Sequence, residues 1–153
     1  MIRIAFFDMD GTLCLPSYKT DKGEVIGFDL DGWLAFCKEK KEHIYDNCKP
    51  LPKVGNYAKA LKDAGARLYV LTAVMTEEEL LSKKKYTNEN FPGLFEEVIG
   101  VGSVGDKISE IEHVAKENGV GLTECELVED TYDILLEANL LGIKCTHVAS
   151  FLT

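Results

Sequence analysis

Asp8-Met9-Asp10-Gly11-Thr12 sets two carboxylates two residues apart, directly ahead of a glycine and a threonine. Such a run suits a tight turn that presents both acids side by side. Further along lie Thr72-Ala73, Lys107, and Glu129-Asp130 with Asp133 three residues beyond. Acids, a hydroxyl and one ammonium are the groups needed to attack, protonate and charge-balance an anionic ester. Each also has a plainer role. Paired acids before glycine form turns, Thr72 could cap the next segment, and Lys107 could be solvated at a helix start. Asp133 reads equally as an outer partner of a metal site or as a first-turn acid favoured by the helix dipole.

The elements that would position these residues can be read from apolar patterning. Ile2 to Phe7 reads as a buried strand ending at Asp8, and Leu68 to Leu71 as a second ending at Thr72. Val98 to Val101, the neighbourhood of Leu127-Val128, and Lys144 to Val148 supply three more. Short runs of β-branched and large apolar residues are the mark of parallel core strands. Helices separate them. Tyr57, Ala60, Leu61 and Ala64 recur at helical spacing before Gly65. Thr76 and Glu79 form a capping box opening a helix toward Phe91-Pro92. Ile108, Ile111, Val114 and Ala115 mark another, and Ile134 to Leu141 the last. This alternation predicts an α/β fold: a Rossmann-like parallel sheet sandwiched by helices, with ligands beyond the carboxyl ends of the strands. All the candidate residues fall at those ends.

Residues 13–53 break the rhythm, being far longer than the connections usual in α/β units. Thr20 to Phe28 reads as a hairpin turning at Asp21-Lys22-Gly23, and Asp31 to Asn47 as a helix with Trp33, Phe36, Cys37 and Ile44 toward one side. The whole chain, 1–153, is expected to form one domain, with 13–53 as a flap and small cap-like insertion after the first strand. Trp33 and Phe36 are either core or substrate contacts, and Trp33 is taken as a candidate contact. The Lys83-Lys84-Lys85 run reads as a solvated helix face.

The strand ending in D-x-D-G-T, the strand ending in Thr, the lysine and the strand ending Glu-Asp resemble the four motifs of the haloacid dehalogenase (HAD) superfamily, in the same order: Asp8, Thr72, Lys107, Asp130. The stretch from Glu129-Asp130-Thr131 through Ala138 to Gly142 is similar to the family's last motif, with Tyr132-Asp133-Ile134 departing in the middle. The resemblance implies a phosphatase with Asp8 as nucleophile and Asp10 as general acid and base. It implies Thr72, Ala73, Gly11 and Thr12 around the phosphoryl oxygens, and Lys107 as the neutralising cation. It also implies Mg²⁺ held by Asp8, the Asp10 backbone carbonyl and Asp130, with Glu129 joining directly or through water. A second acid two residues after the nucleophile speaks for phosphoryl transfer. Residues 68–107 further resemble small deoxyribonucleotidase-type members, which makes a 5′-nucleotidase-like substrate one expectation. The alternatives are a sugar-phosphate phosphomutase, disfavoured by so short an insertion, and a non-catalytic binding module on the same scaffold.

Bulk properties narrow the partners. A net charge of −9 over 153 residues argues against binding nucleic acid polymers. It also demands a local cation if a small phosphorylated substrate is to approach. No apolar run reaches membrane-spanning length, so neither a signal peptide nor a membrane partner is expected. Five cysteines, odd in number and without C-x-x-C spacing, fit a reducing cytoplasm. Oligomeric state is not legible.

Overall fold

The computed structural model describes residues 1–20, 23–26 and 29–153. In chain order the elements are β1 (Ile4–Phe7), β2 (Cys14–Leu15), β3 (Ser17–Thr20), β4 (Gly23–Ile26) and α1 (Leu30–Lys40). They continue with β5 (Lys49–Pro50), α2 (Pro52–Asp63), β6 (Arg67–Ala73), α3 (Glu77–Asn90) and β7 (Glu97–Val101). The last are α4 (Lys107–Glu117), β8 (Cys125–Glu129), α5 (Tyr132–Leu140) and β9 (Lys144–His147).

Five strands form one parallel sheet in the order β7-β6-β1-β8-β9. Strand β1 sits at its centre with every side chain buried, as the unbroken apolar run Ile4-Ala5-Phe6-Phe7 requires. Alternate residues serve opposite faces. Ala5 and Phe7 join Val54 and Ala58 of α2 and Tyr86 of α3 in one core, whereas Ile4 and Phe6 join Ile111 and Val114 of α4 and Ile134 and Leu135 of α5 in the other. The expected sandwich is therefore present. The chain leaves β1 toward β6 and β7 on one side and toward β8 and β9 on the other. This reversal of strand order opens a crevice beyond the carboxyl ends of β1 and β8, where such sheets bind ligands.

The insertion departs from its expected form in one respect. Strands β3 and β4 pair antiparallel, as the hairpin reading requires, although its Asp21-Lys22 turn lies outside the described residues. The helix predicted to Asn47 ends at Lys40 instead. Asp29 caps its start by accepting from the Gly32 N–H, and Lys41 closes it at φ 53°, ψ −115°. A short 3₁₀ turn, Lys41–His43, follows, so Ile44 is buried from a turn and not from a helix face. Continued α-helix would carry the chain away from α3; the break lets Lys41 accept a hydrogen bond from Ser82 and Cys48 one from Tyr86. The two-residue pair β2–β5 fastens the base of the insertion. Among the described residues, no helix is long and apolar enough to cross a membrane.

Candidate active site

Strand β1 delivers Asp8 to the crevice, its backbone N–H bonded to the Val128 carbonyl at 2.9 Å. The chain then turns sharply: Thr12, Leu13 and Cys14 all donate backbone N–H groups to the Met9 carbonyl. Gly11 takes φ +79°, a conformation costly for residues with a Cβ. A Cβ there would also collide with the Asp130 carboxylate, so glycine is what lets the β8 acid close on the β1 acids. Thr12 is wholly buried, and its hydroxyl donates to Asp8 Oδ2 at 3.3 Å. Its hydroxyl thus supports Asp8 from beneath and does not line the cleft.

Lys107 opens α4 after the 3₁₀ turn Val104–Asp106. Its ammonium, 2% exposed, lies 2.8 Å from Asp8 Oδ1 and 2.7 Å from Glu129 Oε2. The other oxygen of Glu129 accepts from the backbone N–H groups of Asp130 (3.1 Å) and Thr131 (3.3 Å). Glu129 therefore holds both Lys107 and the turn that presents Asp130.

One lysine cannot neutralise two buried acids and a third beside them. Burial pushes the Asp8 carboxyl up from 3.8 to about 7, against the pull of Lys107 and helped by the neighbouring Glu129. Burial likewise raises Glu129, with Lys107 opposing it, and raises Asp130, near Asp8. Lys107 is pulled down by burial but raised overall by Asp8 and Glu129. Carboxylate oxygens of Asp8, Glu129 and Asp130 all lie within 4.8 Å of one another. With both Glu129 oxygens engaged, the hard carboxylate oxygens of Asp8 and Asp130, in this excess of negative charge, fit Mg²⁺, which takes carboxylate and water oxygens.

Thr72, the penultimate residue of β6, lies in the same crevice. A lysine missed by the sequence reading meets it there. Lys83, expected on a solvated face, is fully buried, and its ammonium donates to Thr72 Oγ1 (2.6 Å) and the Ala73 carbonyl (2.8 Å). It also lies 3.2 Å from Asp10 Oδ2 and 3.5 Å from Glu79 Oε1. The solvated reading holds for Lys85, which pairs with Asp46 at the surface. It fails for Lys83 because α3 buries a stripe of polar residues, Glu79, Ser82, Lys83, Tyr86 and Thr87. A hydropathy pattern is blind to that face. The signal that could have found it is the i,i+4 acid Glu79 with Tyr86 at i+3.

Asp10 is held from its other side by Tyr45, whose hydroxyl donates to Oδ1 at 2.6 Å. Burial first, and then the Asp10 charge, raise the Tyr45 phenol well above its usual value, so it stays a donor. Trp33 is 3% exposed and stacks on this tyrosine edge-on at 5.9 Å, with Phe36 beside it. Its ring belongs to the core and also reaches the wall of the cleft.

That cleft, about 450 Å³, is lined by Asp8, Asp10, Thr72, Ala73, Lys107, Glu129, Asp130 and Trp33, with Met75 and Ser103 among its other walls. The structure thus gathers eight sequence-predicted residues in one place. Gly11 and Thr12 lie immediately behind it. Asp133, exposed in the first turn of α5, is not among the converging acids.

No family model matches this chain, and no curated protein matches it. Solved structures do. A 3-deoxy-D-manno-octulosonate 8-phosphate phosphatase from Moraxella catarrhalis, in complex with magnesium, phosphate and KDO, is 19% identical, with a TM-score of 0.55 over 92% of this chain and 64% of its own. CbbY from Rhodobacter sphaeroides, in complex with phosphate, is 15% identical, with a TM-score of 0.63 over 96% and 86%. A HAD family enzyme from Bacteroides thetaiotaomicron, in a magnesium complex, is 12% identical, with a TM-score of 0.58 over 95% and 92%. The chain spans less than two thirds of the length of several of the structures it matches. What it shares with them is architecture: the chain has the fold of the haloacid dehalogenase superfamily.

Proposed function

We propose that this chain is a Mg²⁺-dependent phosphatase of that superfamily, hydrolysing a small phosphomonoester through a phosphorylated Asp8. The observation that carries the reading is the buried pair of Asp8 and Lys107 at the strand-reversal crevice, with the exposed Asp130 carboxylate converging on Asp8 and Asp10 two residues from the nucleophile. The magnesium and phosphate bound in the Moraxella phosphatase and the phosphate in CbbY support it.

A carboxylate nucleophile divides hydrolysis into two displacements. In the first, an Asp8 oxygen attacks phosphorus while the bond to the leaving oxygen breaks and Asp10 gives that oxygen a proton. In the second, water gives its proton back to Asp10 as it attacks phosphorus, and the bond to Asp8 breaks. Phosphoryl transfer depends mainly on positioning and charge stabilisation. Lys107 orients Asp8 and offsets its charge, and the Thr72 hydroxyl and backbone N–H groups near Ala73 meet the phosphoryl oxygens. Asp8, Asp130 and the Asp10 carbonyl would hold Mg²⁺, which when bound offsets the negative charge shared by phosphate and nucleophile. Glu129 has both oxygens engaged and serves as the clamp on Lys107.

The insertion, residues 13–53, acts as a small cap whose helix α1 brings Trp33 to one wall. A cleft of about 450 Å³ limits the leaving group to something compact, such as a sugar or nucleoside. Hydrolysis of p-nitrophenyl phosphate with Mg²⁺ and with excess chelator tests the reading. Turnover that requires the metal is expected; metal-independent turnover, or none, would sink it.

A further inference from the structure

Among the described residues, Lys83 is a buried cation just behind the cleft wall, on Thr72, that the proposed chemistry leaves without a task. Its side chain is fully enclosed, so its four oxygen neighbours define what it does. An ammonium has three hydrogens and no lone pair. At 2.6 Å, Thr72 Oγ1 must therefore be the acceptor. A hydroxyl that accepts from a fixed cation keeps its own hydrogen for another partner, and Thr72 borders the cleft. The remaining contacts reach the Ala73 carbonyl, Asp10 Oδ2 and Glu79 Oε1.

Asp10 is gripped at both oxygens, by Lys83 at Oδ2 (3.2 Å) and Tyr45 at Oδ1 (2.6 Å). Even when protonated, a carboxyl group keeps acceptor lone pairs on both oxygens, so two donors fix its plane and leave its O–H free for the leaving oxygen. The grip is itself anchored. Tyr45 is 1% exposed and wedged between Trp33 and Tyr86, and the Lys83 ammonium lies 5.8 Å from its ring centroid. Lys83 comes from α3 and Tyr45 from the insertion, so the grip joins two elements that also meet where Ser82 and Tyr86 of α3 donate to the Lys41 and Cys48 carbonyls.

We propose that Lys83 and Tyr45 are positioning residues for phosphoryl transfer: Lys83 aims the Thr72 hydroxyl hydrogen at the phosphoryl group, and Lys83 with Tyr45 fixes the Asp10 carboxyl that serves the leaving group. The assignment rests on the phosphatase reading and extends it to two residues outside the four motifs. It gives the insertion a second task besides covering the cleft, since its Tyr45 completes the acid–base group.

Leaving-group dependence separates positioning from packing. Nitrophenolate departs with little help from an acid, whereas phenolate needs one. Tyr45→Phe is expected to lower kcat/KM for phenyl phosphate by on the order of tenfold more than for p-nitrophenyl phosphate, a fraction of the full effect of a general acid. Equal losses on both esters would make Tyr45 core packing and overturn its part. Lys83→Met is expected to lower kcat/KM on both esters by on the order of 100-fold, and most of that loss should vanish in a Thr72→Val background, as coupled residues require. Additive losses would overturn the Thr72 link. Should Lys83→Met fail to fold, Lys83→Gln, read in the same cycle, decides the point. A folded wild type inactive on both esters with Mg²⁺ overturns the phosphatase reading and this inference together; an active wild type with uniform, additive losses overturns this inference alone.

Discussion

Lys107 lies 2.8 Å from Asp8 across 99 residues of sequence, the first residue of α4 meeting the first residue after β1. The contact ties the start of α4 to the carboxyl end of β1. It also leaves a hostage: without the ammonium, Asp8 and Glu129 become unpaired buried acids. Removing one partner of a buried pair typically costs about 3–5 kcal/mol. Lys107→Met should therefore show both a lower urea midpoint and a loss of turnover of about 100-fold or more, on the scale of a lost transition-state donor. A stable variant with unchanged kinetics would show the pair to be incidental.

A second prediction concerns pH in metal-free protein. The folded Asp8 carboxyl is raised, from 3.8 to about 7, so the native state binds more protons than the unfolded state between those values. Stability must then fall as pH rises through that window. The raised Glu129 and Asp130 act with the same sign. Lys107, also raised, contributes stability that is complete below its ordinary value of 10.5 and lost only above it. In chelator, the unfolding temperature should decline from about pH 4 to about pH 7, less steeply in Asp8→Asn. Added Mg²⁺ should restore most of the loss at pH 7. A wild-type curve rising over that interval would contradict the assignment of Asp8 as a buried, under-compensated acid.

Gly11 supplies a third. An alanine at φ +79° carries a conformational cost of about 1–3 kcal/mol and pushes against the Asp130 carboxylate. Gly11→Ala should raise the Mg²⁺ concentration needed for half-maximal activity, while Gly142→Ala, a positive-φ glycine at the end of α5, should affect stability and not the metal requirement. Equal metal titrations in both variants would remove Gly11 from the site.

Trp33 supplies a fourth. It packs on Tyr45 and Phe36 inside the core, so Trp33→Ala should destabilise the fold by about 3–5 kcal/mol, the usual cost of truncating a buried aromatic. An unchanged denaturation midpoint together with a raised KM for a nucleoside or sugar phosphate, but not for p-nitrophenyl phosphate, would instead make the ring a substrate contact alone.

The sheet and its edge were legible because parallel strands advertise themselves. Ile4 to Phe7 is apolar without a break, and each candidate acid, hydroxyl or lysine follows such a run or opens the next helix. The capping box at Thr76 was legible for the same local reason: its Thr76 hydroxyl accepts from the Glu79 N–H, as the spacing required. Lys83 and Tyr45 were not legible. Each is polar or amphipathic, each is buried by contacts 35 or more residues distant or across a helix–strand junction, and α3 hides a polar stripe that hydropathy reads as solvent-facing. The end of α1 was missed because nothing local forbids helix through Lys41; Ser82 and Tyr86 of α3 determine the break by the carbonyls they capture.

The central claim is covalent: Asp8 takes the phosphoryl group. The direct measurement is to react the protein with a phosphomonoester labelled in its phosphate, quench in acid within the first turnover, and locate the label by peptide mass analysis. Label on the peptide carrying Asp8 in wild type, and its absence in a folded Asp8→Asn variant that no longer turns over, is the predicted result. Label on another side chain, or undiminished turnover in Asp8→Asn, would contradict it.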